Sequence, residues 1–80
     1  MDKLDIEFFN TINKSCKKNN VDFFSLEFTI SNLTNWIVSV YPIKTHKTAV
    51  QIAIRLSDLG YLEKCNRGFK FSKKLKDVIQ

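Results

Sequence analysis

Glycine occurs twice and proline once in these 80 residues, too few for the linker-like, collagen-like or disordered chains that those residues dominate. One histidine and two cysteines, Cys16 and Cys65, with no CxxC pair, cannot assemble a four-ligand zinc site within one chain. No metal is expected. The same poverty bears on catalysis: there is no Ser-His or Cys-His arrangement, no glycine-rich phosphate loop and no distinctive pair of carboxylates, so neither an enzyme nor a cofactor is expected. Long apolar runs are missing too. The longest stretch free of Lys, Arg, Asp and Glu, residues 28–43, is shorter than a bilayer span and carries Asn32, Asn35 and Pro42, which excludes a transmembrane helix there. Asp2, Lys3, Asp5 and Glu7 follow Met1, the wrong charges for a signal or transit peptide. The expectation is a cytoplasmic protein, a host's cytoplasm included, whose cysteines are buried thiols and not a disulfide.

What is present is a folding composition: 44% hydrophobic and 26% charged, with seven Phe, two Tyr and one Trp. Residues 1–80 read as a single domain. A chain this short buries only about 60% of its unfolded surface, so the large aromatic side chains matter. The net charge of +5 is unevenly held. Residues 1–40 carry four lysines against five acids, a balance of −1, whereas residues 41–80 carry nine basic residues against Asp58, Glu63 and Asp77, a balance of +6. That asymmetry points to a polyanionic partner, although a solvated face has the same composition. A membrane-surface role would need a strongly amphipathic basic helix with exposed apolar residues; none is evident, and no membrane partner is expected.

Leu4, Phe8, Phe9, Ile12 and Cys16 recur at spacings of three and four, which predicts an amphipathic helix over 4–18 that Asn19 and Asn20 end. Acids in its first turn and lysines in its last suit the helix dipole. Phe24, Leu26, Phe28 and Ile30 alternate with polar residues, predicting a short strand within 25–30. Ser31 or Asn32 is placed to cap a second helix over 32–41, with Trp36 on its apolar face as a core anchor. A third helix is predicted over 45–59, begun at Thr45 or by a Thr48/Gln51 capping box and stopped by Gly60. Its inward face is Ala49, Ile52, Ala53, Leu56 and Leu59, and its outward face Lys47, Thr48, Gln51, Arg55 and Asp58. From Tyr61 the period becomes two, predicting a β-hairpin over 61–72 that turns at Asn66, Arg67 and Gly68. Ser72 then caps a last short helix with Leu75, Val78 and Ile79 apolar.

Helix, short strand, helix, helix, two-stranded wing and short terminal helix is an α+β, mostly α order that resembles the winged helix-turn-helix fold. The stretch Arg55-Leu56-Ser57-Asp58-Leu59-Gly60-Tyr61-Leu62-Glu63-Lys64, with Asn66-Arg67-Gly68-Phe69-Lys70-Phe71, is similar to the end of a recognition helix and the wing that follows it. Phe28-Thr29-Ile30-Ser31-Asn32-Leu33 is similar to the strand and cap before the second helix. Many helix-turn-helix units join their helices by a tight turn that often contains glycine. This connector has Pro42 and no glycine, which predicts a longer, opened turn.

The resemblance implies a double-stranded DNA partner, with the third helix in the major groove and the hairpin against the backbone or minor groove. Gln51 and Arg55 are placed to reach base edges, and Lys44, Thr45, His46, Lys47 and Thr48 surround a helix start that favours phosphate. Lys64, Arg67, Lys70, Lys73 and Lys74 decorate the wing and its exit. Gln51 and Arg55 are also what a solvated helix face carries, Asp58 on the same outward face opposes DNA binding slightly and is a candidate partner for Arg55, and His46 suits an ordinary surface position. Val50 and Ile54 lie beyond the inward face and, with the wide Phe8/Phe9 stripe, raise the expectation of a homodimer. The expected function is a sequence-specific transcriptional regulator. The alternative is a winged-helix module for protein contact in a larger assembly. Abundant Lys, Asn, Ile and Phe suit an AT-rich genome, and a regulator of 80 residues suits a virus, plasmid or compact microbe.

Overall fold

Asp2 opens helix α1, Lys3–Lys18, by accepting the Leu4 amide on its carboxylate at 3.2 Å in the computed structural model, which describes residues 1–79. The helix closes as its asparagines predict. Asn20 adopts a left-handed φ of 57°, and the Val21 amide returns to the Cys16 carbonyl at 2.8 Å, satisfying an end carbonyl. Phe8, Phe9, Ile12 and Cys16 are buried, but the first place on that stripe belongs to Asp5, with Leu4 turned to solvent.

The strand expected within 25–30 contracts to one bridge. Phe28 and Phe69 exchange both backbone hydrogen bonds at 2.8 Å. The alternation is cut short because Thr29 is committed to starting helix α2, Ile30–Val40. Its Oγ1 accepts the Asn32 amide at 3.1 Å while Asn32 Oδ1 accepts the Thr29 amide at 3.0 Å. Asn32 is therefore the inner partner of a capping box and not the cap. Residues 41–45 connect to helix α3, His46–Asp58, longer than the three or four residues of a tight helix-turn-helix turn, as Pro42 without glycine predicts. Thr45 is the cap, accepting the Thr48 amide at 3.2 Å, so the Thr48/Gln51 box is not formed. Gly60, at φ 85°, ends this helix, and the Tyr61 amide reaches the Leu56 carbonyl at 3.1 Å.

Strands β1, Leu62–Cys65, and β2, Gly68–Phe71, pair antiparallel in the register Leu62 to Phe71 and Cys65 to Gly68. Gly68 has φ 144°, and a Cβ there would fall 2.4 Å from the Phe28 carbonyl oxygen. Glycine is what lets the Phe28 backbone lie against the hairpin. Ser72 then caps a 3-10 turn, Lys73–Asp77, whose Leu75 is buried. Asn10 of α1 ties that end down by donating to the Val78 carbonyl at 3.2 Å.

Phe71 is the centre of the core: Phe23 stacks on it with ring centroids 4.5 Å apart, while Phe28 and Phe9 lie at 4.6 and 5.7 Å. Trp36, half-buried, meets Phe28 edge-on at 5.3 Å and anchors as expected. Phe8 and Phe9 are wholly covered within the chain, so their wide stripe needs no second subunit. The result is an α+β domain, mostly helical, with three helices and a two-stranded antiparallel hairpin. Cys16 is buried and Cys65 half-buried, both free thiols. Among the described residues no helix is long and apolar enough to cross a membrane.

Candidate nucleic-acid interface

With 3.6 residues per turn, burying Ala49, Ala53 and Leu56 fixes the rotation of α3 about its axis. The face directly opposite is then Lys47, Gln51, Ile54 and Asp58, and all four are exposed. Lys44, Thr45 and His46 are exposed at its start, and the half-buried Thr48 shares a 2.8 Å hydroxyl contact with Thr45. Leu59, expected inward, lies past the last turn and is half exposed. Val50, with Ile54 at the adjoining edge of the exposed face and Ile30 of α2, borders a recess of about 160 Å³.

Arg55 is not on the outward face. It sits on the flank turned to α1, where Nη1 donates to Asp5 Oδ2 and Nη2 to Asp5 Oδ1, both at 2.7 Å. Asp58, the partner expected for it, forms no ion pair among the described residues. The Tyr41 hydroxyl donates to Asp5 Oδ1 at 2.6 Å, so three elements meet on one carboxylate that is 1% exposed. The Arg55 hydrogen bonds hold the Asp5 carboxyl below the usual range against the opposing effect of burial, with Tyr41 adding to them. Burial, reinforced by that carboxylate, pushes the Tyr41 phenol well above its ordinary value. Arg55 is likewise held protonated more firmly than usual, chiefly by its hydrogen bonds to Asp5. The sequence carried a signal for this. Asp5 stands at helical spacing from Phe8, Phe9, Ile12 and Cys16, and an acid inside an apolar stripe calls for a buried cation.

The hairpin register divides the remaining cations. Side chains alternate across a strand, so Lys64, opposite Phe69, and Lys70, opposite Glu63, project to different faces of the ribbon. Lys70 is half-buried and has an acid as its direct cross-strand neighbour, which offsets its charge. Arg67 is exposed in the two-residue loop, and Lys73 and Lys74 are exposed beyond it. The Lys74 ammonium lies over Gly60, where a Cβ would be 2.8 Å from Nζ, at the electronegative end of α3. The cations thus form two groups. Lys44, His46 and Lys47 surround the start of α3; Lys64, Arg67, Lys73 and Lys74 lie on the hairpin and its exit. Among the described residues, none of these side chains enters an ion pair.

A larger concavity of about 340 Å³ lies between α1 and α2, lined by Ile12, Cys16, Leu26, Trp36 and Val40 among others. Its hydroxyls at Thr11 and Ser39 are bonded to carbonyls of their own helices at 2.7 and 3.0 Å. It shares no lining residue with the basic groups. Comparison of the chain with known protein families, with characterised proteins and with solved structures finds no match.

Proposed function

We propose that this chain is a winged helix-turn-helix protein that binds double-stranded DNA and regulates transcription. One observation carries the reading: the approach to α3 and its first two turns present Lys44, His46, Lys47 and Gln51 to solvent, with no side-chain ion pair or hydrogen bond among the described residues, on the half of the chain that holds a balance of +6. The Phe28 to Phe69 bridge, which lays a third backbone segment against the hairpin, supports the winged-helix reading of the element order. In this reading the lysines meet phosphates at the helix start, Gln51 meets a base edge, and Arg67 at the hairpin tip, with Lys64, Lys73 and Lys74, meets the flanking backbone. Arg55 serves the fold by holding α1 to α3. The protein works in the cytoplasm of its cell or host, and paired half-sites call for a homodimer.

The competing reading, a module for protein contact, is favoured by one feature, the exposure of Ile54 on the outward face of α3. The apolar recess beside it, walled by Ile30, Val50, Ala53 and Ile54, is small, and the same face carries Lys47 and Gln51, which suits a polar partner better.

The test is titration of a labelled random duplex at about 50 and 200 mM salt. Four to six phosphate contacts give a log-log slope of roughly −3.6 to −5.4. Lys47→Ala and Arg67→Ala each make that slope shallower by about 0.9. A slope near zero, or no duplex binding at low salt, rejects DNA binding.

A further inference from the structure

We infer that Ile54 and Gln51 read an A·T step of duplex DNA, Ile54 meeting the 5-methyl group of thymine and Gln51 the major-groove edge of adenine. The inference rests on the proposed DNA-binding role of α3 and adds the class of base it selects. It starts from Ile54, which at 55% exposure is the most exposed large hydrophobic side chain among the described residues. A single exposed aliphatic residue needs no explanation by itself. This one stands on the face that turns away from the core, at its edge toward Val50, three residues from Gln51 and seven from Lys47.

What that face offers decides what it recognises. Guanine is read by a cation with two donors, and the only arginine of α3 is turned aside and held end-on by Asp5 at 2.7 Å. Lys47 lies in the first turn, where the helix start favours phosphate. The next turn of the face is left with an amide and a branched alkyl group. Gln pairs through two hydrogen bonds with adenine N6 and N7, and alkyl side chains pack on the thymine methyl, the apolar group in the major groove. The two residues are separated by about 4.5 Å along the helix axis, against about 3.4 Å between base pairs, so they reach the same or neighbouring pairs.

A second observation points to the same occupant. Beside Ile54 lies the recess of about 160 Å³ walled by Ile30, Val50 and Ala53 as well as Ile54, with Ser57 and Asp58 at its polar edge. A methyl group suits the apolar walls that Ile30, Val50, Ala53 and Ile54 give this recess. The cations at the start of α3 and on the hairpin give this surface charge complementarity to a duplex. RNA carries uracil and lacks the methyl group, so the same contact favours DNA.

The experiment selects a bound duplex from a random pool with the full chain, then replaces its thymines one at a time by uracil, which removes only the methyl group. Losing one buried methyl corresponds to about a fourfold loss of affinity. We expect that loss at one thymine for the wild type, none for Ile54→Ala, and loss of the neighbouring adenine preference in Gln51→Ala, with salt slopes unchanged. Equal affinity for thymine and uracil duplexes at every position overturns the inference and leaves DNA binding standing. Duplex binding absent altogether overturns the functional reading and this inference with it. A change of sedimenting mass in Ile54→Ala, with its melting temperature retained, assigns the patch to protein contact and also overturns the inference.

Discussion

Arg55 of α3 grips Asp5 of α1 end-on, through two hydrogen bonds of 2.7 Å between residues 50 positions apart in the chain. Tyr41, just past α2, completes the carboxylate's shell. The pair fixes how the first helix sits on the third, and it removes the arginine from the surface offered to a ligand.

Removing the cation leaves a buried charge whose remaining side-chain hydrogen bond among the described residues comes from the Tyr41 hydroxyl. Breaking a fully buried pair costs about 3–5 kcal/mol. Because the Arg55 side chain is 41% exposed, Arg55→Ala is expected at the low end, about 3 kcal/mol. Tyr41→Phe, which deletes one hydrogen bond to a charged group, is expected to cost about 1.5–3 kcal/mol. Urea denaturation checks both; an Arg55→Ala protein as stable as wild type contradicts the assignment.

The same carboxylate gives a pH dependence. Its folded pKa lies below its unfolded one, so its stabilisation is complete above the unfolded value of about 3.9 and is lost as pH falls through the lower folded value. Stability measured by urea from neutral pH downward should fall steeply on the acid side in wild type and less steeply in Asp5→Asn. Parallel acid limbs would show that Asp5 does not contribute.

The two glycines should respond differently to alanine. At Gly68 the new Cβ would meet backbone, the Phe28 carbonyl, at 2.4 Å, so the bridge must open. At Gly60 it would meet the flexible end of Lys74, leaving mainly the left-handed backbone cost of about 1–2 kcal/mol. Thermal melting of the two variants should place Gly68→Ala below Gly60→Ala, and the reverse order would refute the close approach.

The two thiols should differ in reactivity because they differ in burial. Burial, with Asp22 nearby, raises the Cys16 thiol above its ordinary value, whereas Cys65 is half-buried at the end of β1. A thiol-specific chromogenic reagent at mildly alkaline pH should give one fast and one slow phase. Cys65→Ser should remove the fast phase; if it removes the slow one, the burial assignment is wrong.

How much of this was legible in the chain follows from the range of the forces. The three helices, the hairpin and the stop at Gly60 came from local signals, namely apolar spacing, caps and a residue tolerant of positive φ. They were found within a residue or two. Where two local signals competed the outcome was harder to read: Thr29 against the strand pattern, and Thr45 against Thr48.

The sequence by itself determined which segments are helical, which pair, and that the basic groups gather in the second half, because these depend on neighbours a few positions away. Only the tertiary structure decided the rotation of α3, which turns Arg55 toward Asp5 and leaves Ile54 exposed, and the approach of Phe28 to Gly68. Those choices depend on packing among residues tens of positions apart: the period of α1 marks Asp5 as an acid within an apolar stripe, but nothing near it in the chain identifies Arg55 as its partner.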